Sequence, residues 1–390
     1  MKKKKYRILK ELVGGGIIGF ILGFSILFIR DYIHIPEGFV KLPFYINILI
    51  FIFTFFLAVT LHEFGHALSF ISNGIKMRAI FFTIFALIKE DNKWKFKLTS
   101  MKTVGGIAIP DIISVKDEKD FQSKQEAFGK AVIMGPISSL IVWIVLTFIS
   151  IVMIKFTSSI YIRAGFLSLI LSLSGITIFL LATSFIKKDL VIGDFPAYKI
   201  IKSDSFFCGI QFYGYGYLSS QPEKSRDENT YLREYILEEL EEKYKNKDSH
   251  WFTLSIIDTI IVEYLAGYLE KLPMIIENYI SFILENPDIL SKIRSSVMFE
   301  ILYFHIIMLL HREEYTREKS FELYKNLKNT IEPNTPKRKY LFKQIEQILG
   351  IRDNKDYLMD RKNIITSDVH QIYKYFHGYY IDEIRINEMI

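Results

Sequence analysis

The chain has 390 residues, half of them hydrophobic and 24% charged, with a formal net charge of +6. The apolar residues are concentrated: unbroken apolar stretches fill the chain to about residue 186, and charge-rich sequence begins near 220, so a uniformly soluble protein is excluded. The single cysteine, Cys208, excludes an intramolecular disulfide and a cysteine-based metal cluster, which fits a soluble part in a reducing compartment.

The N-terminal "MKKKKYR" precedes an apolar stretch and reads as a cytoplasmic anchor rather than a nucleic-acid patch. A signal peptide is the competing reading of residues 1–30. The apolar part is long for one, and no small-x-small cleavage site follows, so a retained transmembrane helix is expected. Four segments reach the roughly 20 apolar residues needed to cross a bilayer: 12–30, 43–72, 128–154 and 161–186. The Lys and Arg bias places the N-terminus, the segment 73–127, Lys187, Lys188 and the whole C-terminal half in the cytoplasm.

Between the second and third spans, β-branched and aromatic residues flank the polar "KEDNK", which predicts a hairpin of strands 78–88 and 93–100. Its first strand is too apolar for water and is expected at the membrane face. Gly105, Gly106 and Pro110 predict a tight turn before a further short segment. Residues 221–229, "QPEKSRDEN", read as linker. Beyond them Leu232, Ile236 and Leu240 recur at helical spacing. The apolar stretches 251–272 and 297–310 carry acidic residues or histidine at intervals, which makes them helices of a soluble bundle rather than further spans.

The expected fold is therefore an α-helical polytopic membrane protein with about four transmembrane helices and a β-hairpin after the second. An all-α cytoplasmic domain, solenoid-like or a bundle, completes it. The expected division is 1–210 for the membrane domain, 211–229 for the linker and 230–390 for the helical domain. The expected location is a bacterial plasma membrane, with both termini cytoplasmic.

Within the second span, "VTLHEFGHALSF" (59–70) places His62, Glu63 and His66 in an apolar run. Residues four apart share one face of a helix, so His62 and His66 can offer two imidazole nitrogens to one metal ion. Glu63 can act as general base on a metal-bound water. Zinc lowers the pKa of such a water to about 7. Ionisable residues inside a span are costly and mark functional sites; the competing reading is a pair of hydrogen-bonded core histidines.

A zinc site needs a third protein ligand. His34 falls in the outer loop, and the remaining histidines fall in the soluble half, so a carboxylate is required. Depth favours Asp194, in the apolar setting "LVIGDFPAY" just after the fourth span; Asp189, beside two lysines, is the runner-up. A turn or helix-cap role is the alternative for Asp194.

"HEFGH" at the inner end of a span, with "GPISSL" (135–140) in the next, resembles the site-2 protease family of intramembrane zinc metalloproteases. The resemblance covers residues 43–201. It implies that His62, His66 and Asp194 bind zinc and that Glu63 activates water. It implies cleavage of transmembrane or membrane-bound, signal-like peptides, with a hairpin edge in 78–100 holding the substrate as a strand. The chain differs from the family pattern in having Ser138 and Ser139 where an asparagine is usual, "TSFIKKDL" where Asn-x-x-Pro is usual, and Phe195 where glycine is usual. Two rival readings stand beside it. One is a Ste24-like membrane zincin with Glu126 as third ligand. The other is a non-catalytic scaffold with a relic or structural metal site. The lipid bilayer, a membrane peptide and a cytosolic protein on the helical domain are the expected partners; nucleic acid is not.

Overall fold

The computed structural model describes residues 38–99, 105–188, 191–295, 300–367 and 375–389. The expected first span (12–30), His34 and Asp189 lie outside these residues. Among them, three helices are long and apolar enough to cross a membrane: α1 (Phe44–Ser72), α2 (Glu118–Phe156) and α3 (Ile160–Thr183). Pro43 precedes α1, and Gly74 in the left-handed region (φ 79°) ends it. Asp117 caps α2 by accepting from the Asp120 amide at 2.8 Å, and Glu118 and Asp120 complement the helix dipole. Ser159 caps α3.

At 1.5 Å per residue, the 29 residues of α1 extend about 43 Å and the 39 of α2 about 58 Å, more than the roughly 30 Å apolar core of a bilayer. The surplus of α2 is its charged N-terminal part, which runs beyond the span and packs on later helices. Phe70 of α1 stacks on Phe128 of α2 (6.0 Å), and Phe128 and Phe121 both meet Phe212 (5.8 and 5.6 Å), joining the C-terminal end of α1 and the N-terminal part of α2 to the helical region.

Between α1 and α2 lies an antiparallel sheet of β1 (Met77–Phe82), β2 (Phe85–Glu90), β3 (Lys93–Leu98) and β4 (Gly106–Pro110), in the order β3-β2-β1-β4. The expected single strand 78–88 is itself a hairpin, turning at Thr83, whose φ is 57°. No glycine, asparagine or aspartate marks that turn, and a β-branched residue there is atypical, so the sequence conceals it. The second turn falls where "KEDNK" predicts it: Asp91 and Asn92 both have positive φ (50° and 60°), as a two-residue primed turn requires. Gly106 and Pro110, expected to mark a tight turn before a further segment, are instead the first and last residues of β4, which pairs with β1. One face of the sheet, with Ile80 and Phe82, joins the core under α1. The other, with Ala79, Phe81, Ala86, Ile88 and Ile109, is covered by Phe376 near the C-terminus.

After α3 come the two-residue strands β5 (Lys187–Lys188) and β6 (Val191–Ile192), then α4 (Asp194–Ser203) and α5 (Ser205–Leu218). The segment 211–229, expected as linker, is instead packed helix. It holds the end of α5 and all of α6 (Pro222–Glu228), with Phe212, Tyr213 and Arg226 buried. Its polar composition misleads because Arg226 is buried as an ion pair with Asp382, bonded to both carboxylate oxygens.

The rest is helical: α7 (Thr230–Lys245), α8 (Trp251–Leu265), α9 (Met274–Glu285), α10 (Pro287–Ser295), α11 (Glu300–Arg312), α12 (Arg317–Thr330), α13 (Pro336–Ile348), α14 (Lys355–Met359), α15 (Arg361–Ser367) and α16 (His377–Glu388). Leu232, Ile236 and Leu240 of α7 are buried, as their spacing predicts. Within the apolar stretches expected as soluble helices, α8 and α11 are buried helices, in which Glu263 accepts from the Tyr213 and Tyr217 hydroxyls and Glu300 pairs with Arg338.

Candidate metal centre

His62, Glu63 and His66 lie on α1 some six to ten residues, or roughly 9 to 15 Å, before its C-terminal end, and all three are buried. His62 and His66 stand one turn apart and turn their Nε2 atoms toward each other at 3.3 Å. Asp194 is the first residue of α4. It completes the group, with Oδ2 3.4 Å from His62 Nε2 and Oδ1 3.7 Å from His66 Nε2. The tight connection after α3 delivers it: the Gly193 amide donates to Ile186 O (2.7 Å) and the Phe195 amide to Ser184 O (3.0 Å). Ser184 Oγ donates to Asp194 Oδ2 at 2.9 Å.

The donor set fits a zinc ion. Tetrahedral zinc with bonds of about 2.0–2.2 Å holds its ligand atoms about 3.3–3.6 Å apart, which matches the observed 3.3–3.7 Å. The His66 tautomer agrees. His66 Nδ1 lies 2.8 Å from Ala131 O; a carbonyl only accepts, so Nδ1 carries the proton and Nε2 presents its lone pair. His62 Nδ1 lies 2.9 Å from Ser139 Oγ.

Two glycines make the room. A Cβ at 135 would lie 2.2 Å from His66 Nε2 and 2.8 Å from His62 Nε2, so only a residue without a side chain lets α2 pass the imidazoles. A Cβ at 106 would lie 2.3 Å from Glu63 Cγ, so β4 runs directly against the glutamate. Glu63 is thereby between the imidazoles and the edge strand of the sheet.

Other carboxylates near the spans are engaged elsewhere. Glu90 pairs with Lys95 and Lys97, Asp120 with Lys124, and Glu126 with Lys130 at 2.7 Å. Asp111 accepts from Ser220, Asp117 caps α2, and Asp204 caps α5. Glu126, the ligand a Ste24-like site would need, is not brought to His62. Sequence reading missed the groups that hold the ligands, namely Ala131 O, Ser139 and Ser184, and the fit of Gly106 to Glu63. The position of Ser139 three residues after Pro136 was the one visible signal.

Transmembrane helices spare few ionisable residues, and here two histidines from one helix, with Glu63 beside them, meet a carboxylate from a distant one at metal-ligand spacing. The class so defined is an integral membrane protein with an H-E-x-x-H candidate metal site. Comparison with protein families supplies the family: peptidase family M50 matches residues 50–378, and the chain belongs to it, among the site-2 proteases. Comparisons with curated proteins and with solved structures give no match.

Proposed function

We propose that the protein is a zinc-dependent intramembrane endopeptidase that hydrolyses a transmembrane or membrane-bound peptide near the cytoplasmic side of the bilayer. The observation that carries this reading is the convergence of His62, His66 and Asp194 at zinc-ligand spacing beside Glu63. Membership of a peptidase family supports it. A zinc ion held by His62, His66 and Asp194 would supply a Lewis acid for the peptide carbonyl and acidify water.

Glu63 takes the proton of the attacking water and delivers it to the leaving amine nitrogen. A substrate helix conceals its carbonyls in its own hydrogen bonds, so the cleaved segment must be extended. β4 is an edge strand whose Gly106 touches Glu63. Among the described residues its outer edge pairs with no strand, and it offers the backbone groups that replace the lost helical bonds. This shifts the substrate-holding edge from the hairpin 78–100 to residues 106–110. The Lys and Arg bias supports cytoplasmic termini, and the helical region would bind a cytosolic partner or govern substrate entry.

The test is Glu63→Gln in purified, detergent-solubilised protein, beside proteomics of membrane peptides in cells carrying each form. The variant should keep zinc and lose cleavage. Unchanged peptide profiles, or no zinc in the wild type, would leave the scaffold reading in its place.

A further inference from the structure

We infer that Ser139 is the positioning residue that orients His62 toward the metal, an inference that rests on the zinc-site reading above. The three proposed ligands are held by different means. His66 is fixed by a main-chain carbonyl, Ala131 O at 2.8 Å, which the fold of α2 supplies whatever the side chain. Asp194 is fixed by its place at the start of α4 and by Ser184. The outer ring nitrogen of His62 meets a side chain instead: Nδ1 lies 2.9 Å from the Ser139 hydroxyl, and Ser139 is buried.

A serine within a helix usually returns its hydroxyl to a carbonyl one turn back. Ser138 behaves this way, donating to Gly135 O (2.7 Å), and it also lies 3.1 Å from Leu61 O on α1. Ser139, one residue on and rotated by about 100° around the same helix, meets the imidazole instead. Metal binding through Nε2 requires the tautomer with the proton on Nδ1, and in that tautomer His62 donates to the Ser139 oxygen. Outer partners of this kind set ring orientation and raise ligand basicity. The link between α1 and α2 at Ser138 does not involve Ser139, so removing the Ser139 hydroxyl leaves that helix contact intact.

The experiment measures zinc affinity by chelator competition, and melting temperature with and without zinc, for wild type, Ser139→Ala and Ser139→Thr in detergent. Ser139→Ala should weaken zinc binding about 10- to 100-fold and shrink the zinc-induced rise in melting temperature. Its metal-free melting temperature should stay at the wild-type value. Ser139→Thr, which keeps the hydroxyl, should bind more tightly than Ser139→Ala. Wild-type zinc affinity in Ser139→Ala overturns the inference. So does a fall in metal-free melting temperature with the zinc-induced rise unchanged, because that result assigns Ser139 to packing alone. A wild-type protein that takes up no zinc refutes the proposed function itself, and is distinguished by the wild-type control.

Discussion

Replacing Gly135 with alanine tests the metal centre most directly, because the added methyl would occupy the space between the two imidazoles. It would lie 2.2 Å from His66 Nε2 and 2.8 Å from His62 Nε2, whereas non-bonded heavy atoms settle at about 3.5 Å. Relief requires at least one ring to withdraw by about 1 Å, which breaks a bond of about 2.0–2.1 Å. Moving α2 away is resisted at Ala131 and Ser139, which hold the two rings from the same helix. Four-ligand zinc sites bind with about 10–16 kcal/mol in total, so losing one ligand costs about 3 kcal/mol and weakens zinc by roughly 100-fold. The overpacking itself should cost about 1–3 kcal/mol of stability. Elemental analysis of purified protein and chelator competition read the outcome. Stoichiometric zinc at wild-type affinity in Gly135→Ala would refute the placement of the ion between His62 and His66.

Gly106→Ala presses on Glu63 and on the Phe81 carbonyl (2.3 and 2.5 Å) rather than on the imidazoles, so it should retain zinc while abolishing peptide cleavage; zinc loss equal to that in Gly135→Ala would show that the displacement reaches the imidazoles. Asp382→Ala leaves Arg226 buried without its carboxylate and should destabilise the helical region by about 3–5 kcal/mol, read as a lower denaturation midpoint; a shift below about 1 kcal/mol would mean that water reaches Arg226. Burial pushes the Cys208 thiol up to about 12, so native protein should resist thiol reagents at pH 8 and react only on unfolding. The same shift has a stability consequence: the unfolded thiol ionises at about 8.5 and the folded one only near 12, so its ionisation favours the unfolded chain and stability should fall as pH rises between these values. Burial pushes Tyr213, Tyr215 and Tyr217 upward as well, which adds to the same alkaline loss. Stability constant to pH 11 in denaturant titrations would contradict this.

Local pattern determined a good deal of this protein. Apolar runs longer than a globular helix announced α1, α2 and α3, and the i, i+4 spacing of His62 and His66 placed two imidazoles on one face with Glu63 beside them. With His34 in the outer loop and the remaining histidines in the soluble half, a carboxylate was required as third ligand. Those features were legible because helix periodicity and bilayer thickness act on neighbouring residues. The turn at Thr83 was not legible, since "FTIF" carries no turn chemistry and the conformation is imposed by the pairing of β1 with both β2 and β4. The buried helix at 222–228 was hidden in the same way: its charged residues looked solvated until Asp382, some 150 residues on, supplied the partner for Arg226. Only the tertiary structure brought Asp194 to within 3.7 Å of both imidazoles, laid Gly106 on Glu63 and aimed Ser139 at His62. A helix's own residues decide which side chains its face can present; which distant groups meet that face depends on how close the backbones pack, and here Gly65, Gly106 and Gly135, without side chains, set that distance.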